Sequence, residues 1–272
     1  MRYWIPELVL GVLHPNPPIH QADKFGGLPW GLPQNKWPGD GEGPYVFFAQ
    51  FTHHLERANL GREGRVAFLF LGGTDTDETV VFVDSEELSA GPTCLPRPKS
   101  TTLTEAWVTE WEDDDDGLSD SILPYFMSEK AYYADEFSQR RETVSLSDTL
   151  PGGTRLGSVP DWVQSPYDAP PVPPFVFIGQ FSGDFDFDGP APSAEQTGCP
   201  IEQEGSSIWS MFFPRVMKPH RRSSHPGAPR KIRVHKDGTY FCDDNCIGDG
   251  LAYLFVNPDP VTPVGKFFIQ VT

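Results

Sequence analysis

The residues best suited to chemistry lie late in the chain. Asp184, Asp186 and Asp188, followed by Gly189 and Glu195, match the pattern D-x-D-x-D-G-x5-E. In a calcium loop the three aspartates ligate, the glycine turns the chain and the glutamate closes the shell. The competing reading is a strand whose acids alternate outward into a turn stiffened by Pro190 and Pro192. Cys242 and Cys246 form a C-x3-C pair downstream of His220, His225 and His235. Two thiolates with two of those imidazoles would suit Zn2+, although the histidine spacing is not that of a zinc finger. A redox pair and an ordinary turn are the alternatives. Ca2+ and Zn2+ are therefore the only cofactors to consider, and none is required. There is no G-x-S-x-G elbow, no P-loop and no G-x-G-x-x-G fingerprint. The adjacent pair His53 and His54 suits the exposed side of a short helix better than a catalytic base.

A second kind of chemistry is docking. Residues 104–128 hold eight acids and no Lys or Arg. Trp107 and Trp111 sit beside Glu110, Glu112, Asp113, Asp114, Asp115 and Asp116. Aromatic anchors among carboxylates form a plausible surface for a basic protein; the alternative is a solvated loop that keeps the chain soluble. Residues 205–236 show the opposite bias, with eight bases and no acid. This basic block is expected to pair with the chain's own acids or to form a loop.

The whole chain carries 21 Lys+Arg against 38 Asp+Glu, a formal charge of −17. That field repels phosphate and argues against direct nucleic-acid binding. With 26 Gly and 29 Pro in 272 residues, a helical bundle is excluded. No apolar run approaches a membrane span. Four cysteines make a sparse disulfide scaffold, and the first residues do not resemble a secretory signal. A cytoplasmic location is expected.

The elements that must position these residues follow from a repeated pattern. Residues 24–29 (KFGGLP) and 155–160 (RLGSVP) match at an offset of 131, and residues 44–51 (PYVFFAQF) and 174–181 (PFVFIGQF) at 130. Gly26 and Gly157 permit positive φ, and Pro29 and Pro160 push the preceding residue out of the helical region. The PxVFxxQF segments have strand composition, apolar on both faces, so they should be central strands. Strict alternation would place Val46, Phe48 and Gln50 on one face. Gln50 and Gln180 then need buried partners, most simply backbone. Residues 64–70 and 250–256 supply a further strand to each half, and 79–83 and 266–271 a closing one. The second half carries an insertion at about 189–247. Residues 51–60 read as a short helix capped by Thr52, residues 129–141 as a longer helix, and 103–112 as a strand.

The blocks KFGGLPW, GPYVFFAQF, GGTRLGSVPDWVQ, FVFIGQF and GDGLAYLF, in that order, resemble the bacterial YwqG-like family. Arg155 stands where that family usually has Lys, and Ser158 where it has Gly. The resemblance implies an α+β, β-rich fold of two pseudo-repeated halves, residues 1–145 and 146–272, sharing one core. It implies no settled catalytic activity. It suggests an immunity protein that occludes a cognate toxin. The acidic charge of the chain makes a basic nuclease effector the first candidate, since such domains hold phosphate. The rival expectation is a metal- or small-ligand-binding enzyme.

Overall fold

The computed structural model describes residues 1–13, 23–72, 78–94, 103–138, 153–183, 185–187, 190–197, 201–203, 232–236, 239–242, 247 and 250–271. They form a ten-stranded antiparallel sheet and a smaller four-stranded one. The large sheet contains β1 (Arg2–Leu10), β2 (Lys24–Phe25), β3 (Val46–Thr52), β4 (Val66–Leu71), β5 (Thr79–Val83), β6 (Ala106–Asp115), β7 (Arg155–Gly157), β8 (Val176–Ser182), β13 (Leu251–Asn257) and β14 (Val264–Gln270). Their spatial order is β14-β13-β8-β7-β1-β6-β2-β3-β4-β5. The edge strands β5 and β14 come back against each other, so the sheet is nearly closed into a barrel. Val80 fills the space where Gly265 lacks a side chain: a Cβ there would lie 2.7 Å from the Val80 Cβ.

The expected central strands are buried on both faces. Along β4, Ala67, Leu69 and Leu71 join one core cluster, while Val66, Phe68 and Phe70 join another. Along β13, Ala252, Leu254 and Val256 share the first cluster, and Tyr253 and Phe255 belong to a third. The outer clusters are covered at one end by Leu32, Trp37 and Tyr45, and at the other by Trp162 and the one-turn helices α1 (Leu123–Phe126) and α2 (Glu129–Tyr132). In β3 the expected alternation fails. A register shift between Phe47 and Ala49 puts Phe48 and Ala49 in the same cluster.

The segment read as an insertion contributes to this core. Strands β9 (Phe185–Phe187), β10 (Ile201–Gln203), β11 (Ile232–Val234) and β12 (Tyr240–Cys242) form the small sheet in the order β10-β11-β12-β9. Phe185, Phe187, Ile232, Val234, Tyr240 and Cys242 all pack into the first cluster. Most of the basic block lies outside the described residues. Its described part shows Ile232 and Val234 buried and Arg233 exposed.

Three local expectations are corrected. Residues 51–60 are not helical. Phe51 and Thr52 end β3, and His54 and Ala58 pair across a tight turn. Thr52 gives its N–H and Oγ1–H to the Asp23 carboxylate rather than capping a helix. The expected helix at 129–141 is broken into α2 and a second turn at 135–138, with residues 139–141 outside the described set. The expected strand at 103–112 starts at Ala106 and runs on to Asp115, so the acidic run is strand rather than loop.

Because the small sheet shares the main core, Phe187→Ala is expected to lower global stability by roughly 3–5 kcal/mol. Urea unfolding followed by tryptophan fluorescence and far-UV circular dichroism should show one shifted, coincident transition. An unshifted midpoint, or a separate early transition, would make the small sheet an independent appendage.

Candidate functional site

The acidic strand is one half of a two-stranded ribbon. Strand β6 pairs with β1 from Arg2↔Asp115 to Leu10↔Ala106. Very short strands pin the ribbon at its two ends. At one end β2 sets Lys24 opposite Trp107 and Phe25 opposite Ala106. At the other, β7 sets Leu156 opposite Trp4 and Gly157 opposite Tyr3.

Each pinning strand begins with a fully buried cation. Lys24 ion-pairs with Glu105, donates to the Leu28 carbonyl at 2.8 Å, and lies 4.4 Å from the centre of the Trp107 ring. Burial pulls its pKa below the usual lysine value, and Glu105 opposes that pull. Arg155 donates to the Val159 carbonyl at 2.8 Å. Burial lowers its pKa to about 10, opposed by Asp161 and Asp116, so it stays charged at neutral pH. The glutamines serve the same two turns. Gln50 Oε1 accepts the Trp30 N–H and Gln180 Oε1 accepts the Asp161 N–H, each at 2.8 Å. Both amides thus bond to backbone, as the strand composition suggested. Gly26 has φ +55 and Gly157 φ +79. Ser158 also has positive φ, +57, where the first turn has Gly27. Its hydroxyl donates to buried Asp116, which also receives the Met1 ammonium at 2.5 Å.

Within the ribbon, Glu110, Glu112, Asp113, Asp114 and Asp115 are all exposed. Glu110, Glu112 and Asp114 lie opposite Glu7, Ile5 and Tyr3 on β1, so strand alternation gives these six one face. A register shift at Glu7/Leu8 accommodates an extra residue on β6. Two glutamates, Glu7 and Glu110, sit directly across the ladder, an arrangement that destabilises a sheet. Tyr3 donates its hydroxyl to Asp114 at 3.0 Å, and the Met1 ammonium contacts Asp115 at 3.1 Å. Among the described residues, no cation forms an ion pair with Glu110, Glu112, Asp113 or Asp114. Ile5 is 36% exposed and gives the face an apolar centre.

Two of the expected docking residues are interior. Trp107 is buried beneath Lys24, and Asp116 is occupied by Ser158 and Met1. Trp111 is half-buried. Its indole N–H donates to Asp23 at 2.8 Å and its ring is covered by the Arg57 guanidinium at 5.1 Å. Asp23 and Glu105 are the residues the sequence reading missed as structural groups. Glu105 is one of the eight acids of residues 104–128, yet it is buried beside Lys24; a lysine inside an apolar strand start is the signal that a buried counter-ion is needed. Nothing in the spacing marks Asp23.

The metal candidates are only partly described. Asp186 is exposed on β9 between buried Phe185 and Phe187, as an outward-alternating acid would be. Glu195 is exposed on the short helix α3 (Ala194–Thr197), and Asp184 and Asp188 lie outside the described residues. Cys242 points into the core, whereas His235 stacks on Phe241 on the other face of the small sheet, 3.8 Å from Asp186. Those two do not converge on one ion; Cys246, His220 and His225 lie outside the described residues. Among the described residues, no group of three or more potential ligands gathers. None of their helices is long and apolar enough to cross a membrane.

No family model, curated protein or solved structure matches this chain. What the site can do must therefore be argued from its own geometry.

Lys24→Met is expected to destabilise the protein by roughly 3–5 kcal/mol, because it leaves Glu105 buried without its ammonium. Lys24→Met with Glu105→Leu should recover most of that loss. Urea midpoints of the four proteins in this cycle measure the coupling. Additive effects would deny that the pair holds the turn.

Proposed function

We propose that this chain is a bacterial immunity protein. It binds a basic toxin, with a nuclease effector as first candidate, and occludes the toxin's active surface without catalysing a reaction. One observation carries this reading: five exposed carboxylates fixed along a paired strand, four of them with no ion-paired cation among the described residues. A strand held on a buried scaffold loses little conformational freedom on binding. Clustered like charges raise the free energy of the isolated protein, and a basic partner relieves that. Carboxylates of one sign also steer a basic partner at long range. Nuclease domains are basic because they hold phosphate. The resemblance of the repeated blocks to the YwqG-like family points the same way. Neither a membrane nor a nucleic acid is a proposed partner, and the cytoplasm is the proposed location.

The proposal extends to the architecture. Residues 1–145 and 146–272 are read as two copies of one unit within a single domain. Support comes from the matched bonds of the two turns. Each cation donates to the carbonyl four residues on, and each glutamine accepts the N–H six residues beyond that cation.

Co-expression with the toxic product of the neighbouring gene should preserve growth and give a stable complex. Death of the cells, or no complex, would end the immunity reading. Replacing Glu110, Glu112, Asp113 and Asp114 with their amides should slow association by about tenfold or more and flatten its salt dependence. Unchanged kinetics would remove this face from the interface. For the enzyme alternative, millimolar Ca2+ or Zn2+ would have to raise the melting temperature by several degrees or more, by mass action. The expected response is no shift.

A further inference from the structure

Residues 53–60 form a strap across the ribbon, and its closure depends on two neutral imidazoles. His53 Nδ1 accepts the Leu60 N–H at 3.0 Å, and His54 Nδ1 accepts the Arg57 N–H at 3.2 Å. Both acceptors need a ring whose proton is on Nε2. Between them the His54 and Ala58 backbones exchange N–H and carbonyl at 3.0 and 2.9 Å. Leu55, at the tip, is 74% exposed.

The strap holds its cover through side chains. Arg57 lies over Trp111 and reaches Asp23 at 3.1 Å, and Glu56 reaches Arg2 of β1 at 3.2 Å. The Arg57 Nε is buried without a hydrogen-bond partner, so this cover is imperfectly bonded. Far from the tip the chain is firmly held. Arg65 donates to the carbonyls of Leu60, Asp259 and Pro260 and is clamped by Asp84. A well-anchored base and an under-bonded tip are what a releasable strap requires.

We infer that protonation of His53 and His54 opens this strap and uncovers Trp111 beside the carboxylates of β6. An imidazolium carries N–H on both nitrogens. Each ring would then turn a donor against a backbone donor, and both closing bonds would be lost together. The surroundings set the direction. Burial holds His53 below its ordinary pKa, with Arg65 and His54 adding to that and Glu63 opposing it. The closed strap thus disfavours the proton. Its stability is full above the ordinary imidazole range and falls as pH drops through it. Burial also raises the Asp23 carboxyl, against the pull of Arg57, so further acidification weakens its grip on Arg57 in the same sense. Through the docking reading above, on which this consequence rests, acid would bare an aromatic side chain on the ribbon face that carries Asp113 and Asp115, opposite the one that carries Glu110, Glu112 and Asp114.

The test uses the free protein and amide hydrogen exchange, so it does not depend on any toxin. Protection of the Arg57 and Leu60 amides, corrected for intrinsic exchange, should fall about tenfold between roughly pH 7.5 and pH 5, about what one net hydrogen bond is worth. Amides of β13 should stay protected, and hydroxyl-radical labelling of Trp111 should rise in step. His53→Asn with His54→Asn supplies an acceptor in place of each Nδ1 but cannot titrate. It should stay closed at both pH values. His53→Leu with His54→Leu should be open at both. Equal wild-type protection at the two pH values, or a pH step surviving in the Asn variant, would overturn the strap. Amide release without greater Trp111 labelling would overturn its role as a cover.

Discussion

Two buried cations hold the ribbon on which everything else rests. Lys24 and Arg155 each sit at the start of a strand of two or three residues, too short to persist alone. Each gives a hydrogen bond to a carbonyl four residues later and so closes a left-handed turn over its own charge. The glutamine on the neighbouring strand then caps the far side of the turn. A buried charge is tolerated only when it is paired or solvated by dipoles. Satisfying it dictates where the backbone goes. Glu105 is drawn inward for Lys24, and Trp107 packs against the same ammonium. The ends of β1 and β6 are thereby fixed before any surface residue matters.

The acidic face is a consequence of that support. Charged residues in a loop can spread apart, whereas those on β6 are held at the spacing of the ladder. The sheet tolerates Glu7 opposite Glu110 because the ribbon is stabilised elsewhere, by Trp4, Leu10 and Ala106 on its buried face. The small sheet adds to the same core through Phe185, Phe187, Ile232, Val234, Tyr240 and Cys242, so it reinforces the scaffold. The carboxylates of β6 are thereby held in a row on a paired strand, and the proposed toxin contact draws on that row as well as on the net charge of −17.

Much of the scaffold was legible in the sequence. Strand composition on both faces of PYVFFAQF and PFVFIGQF announced central strands, and the glycines and prolines of KFGGLP and RLGSVP announced the turns. The partners of Gln50 and Gln180 were foreseen as backbone. Other features were hidden because tertiary contacts override local pattern. Residues 51–60 have helix-compatible composition, yet Asp23 takes the Thr52 N–H and the histidine nitrogens take those of Arg57 and Leu60, leaving no ladder for a helix. The run of aspartates reads as loop by propensity, and pairing with β1 makes it strand. Trp107 and Asp116 are expected at the surface with their neighbours, because Lys24 lies 83 residues from Trp107 and Met1 lies 115 residues from Asp116, and neither leaves a local signal.

The most direct measurement is zero-length carbodiimide cross-linking of the protein with the product of the neighbouring gene. Carboxylates that touch the partner's lysines become joined to them, and the sites are read by mass spectrometry. Cross-links concentrated at Glu110, Glu112, Asp113, Asp114 and Asp115 are the expected result. Cross-links confined to carboxylates away from β6, with β6 left unmodified in a stable complex, would contradict the claim that this strand is the docking surface.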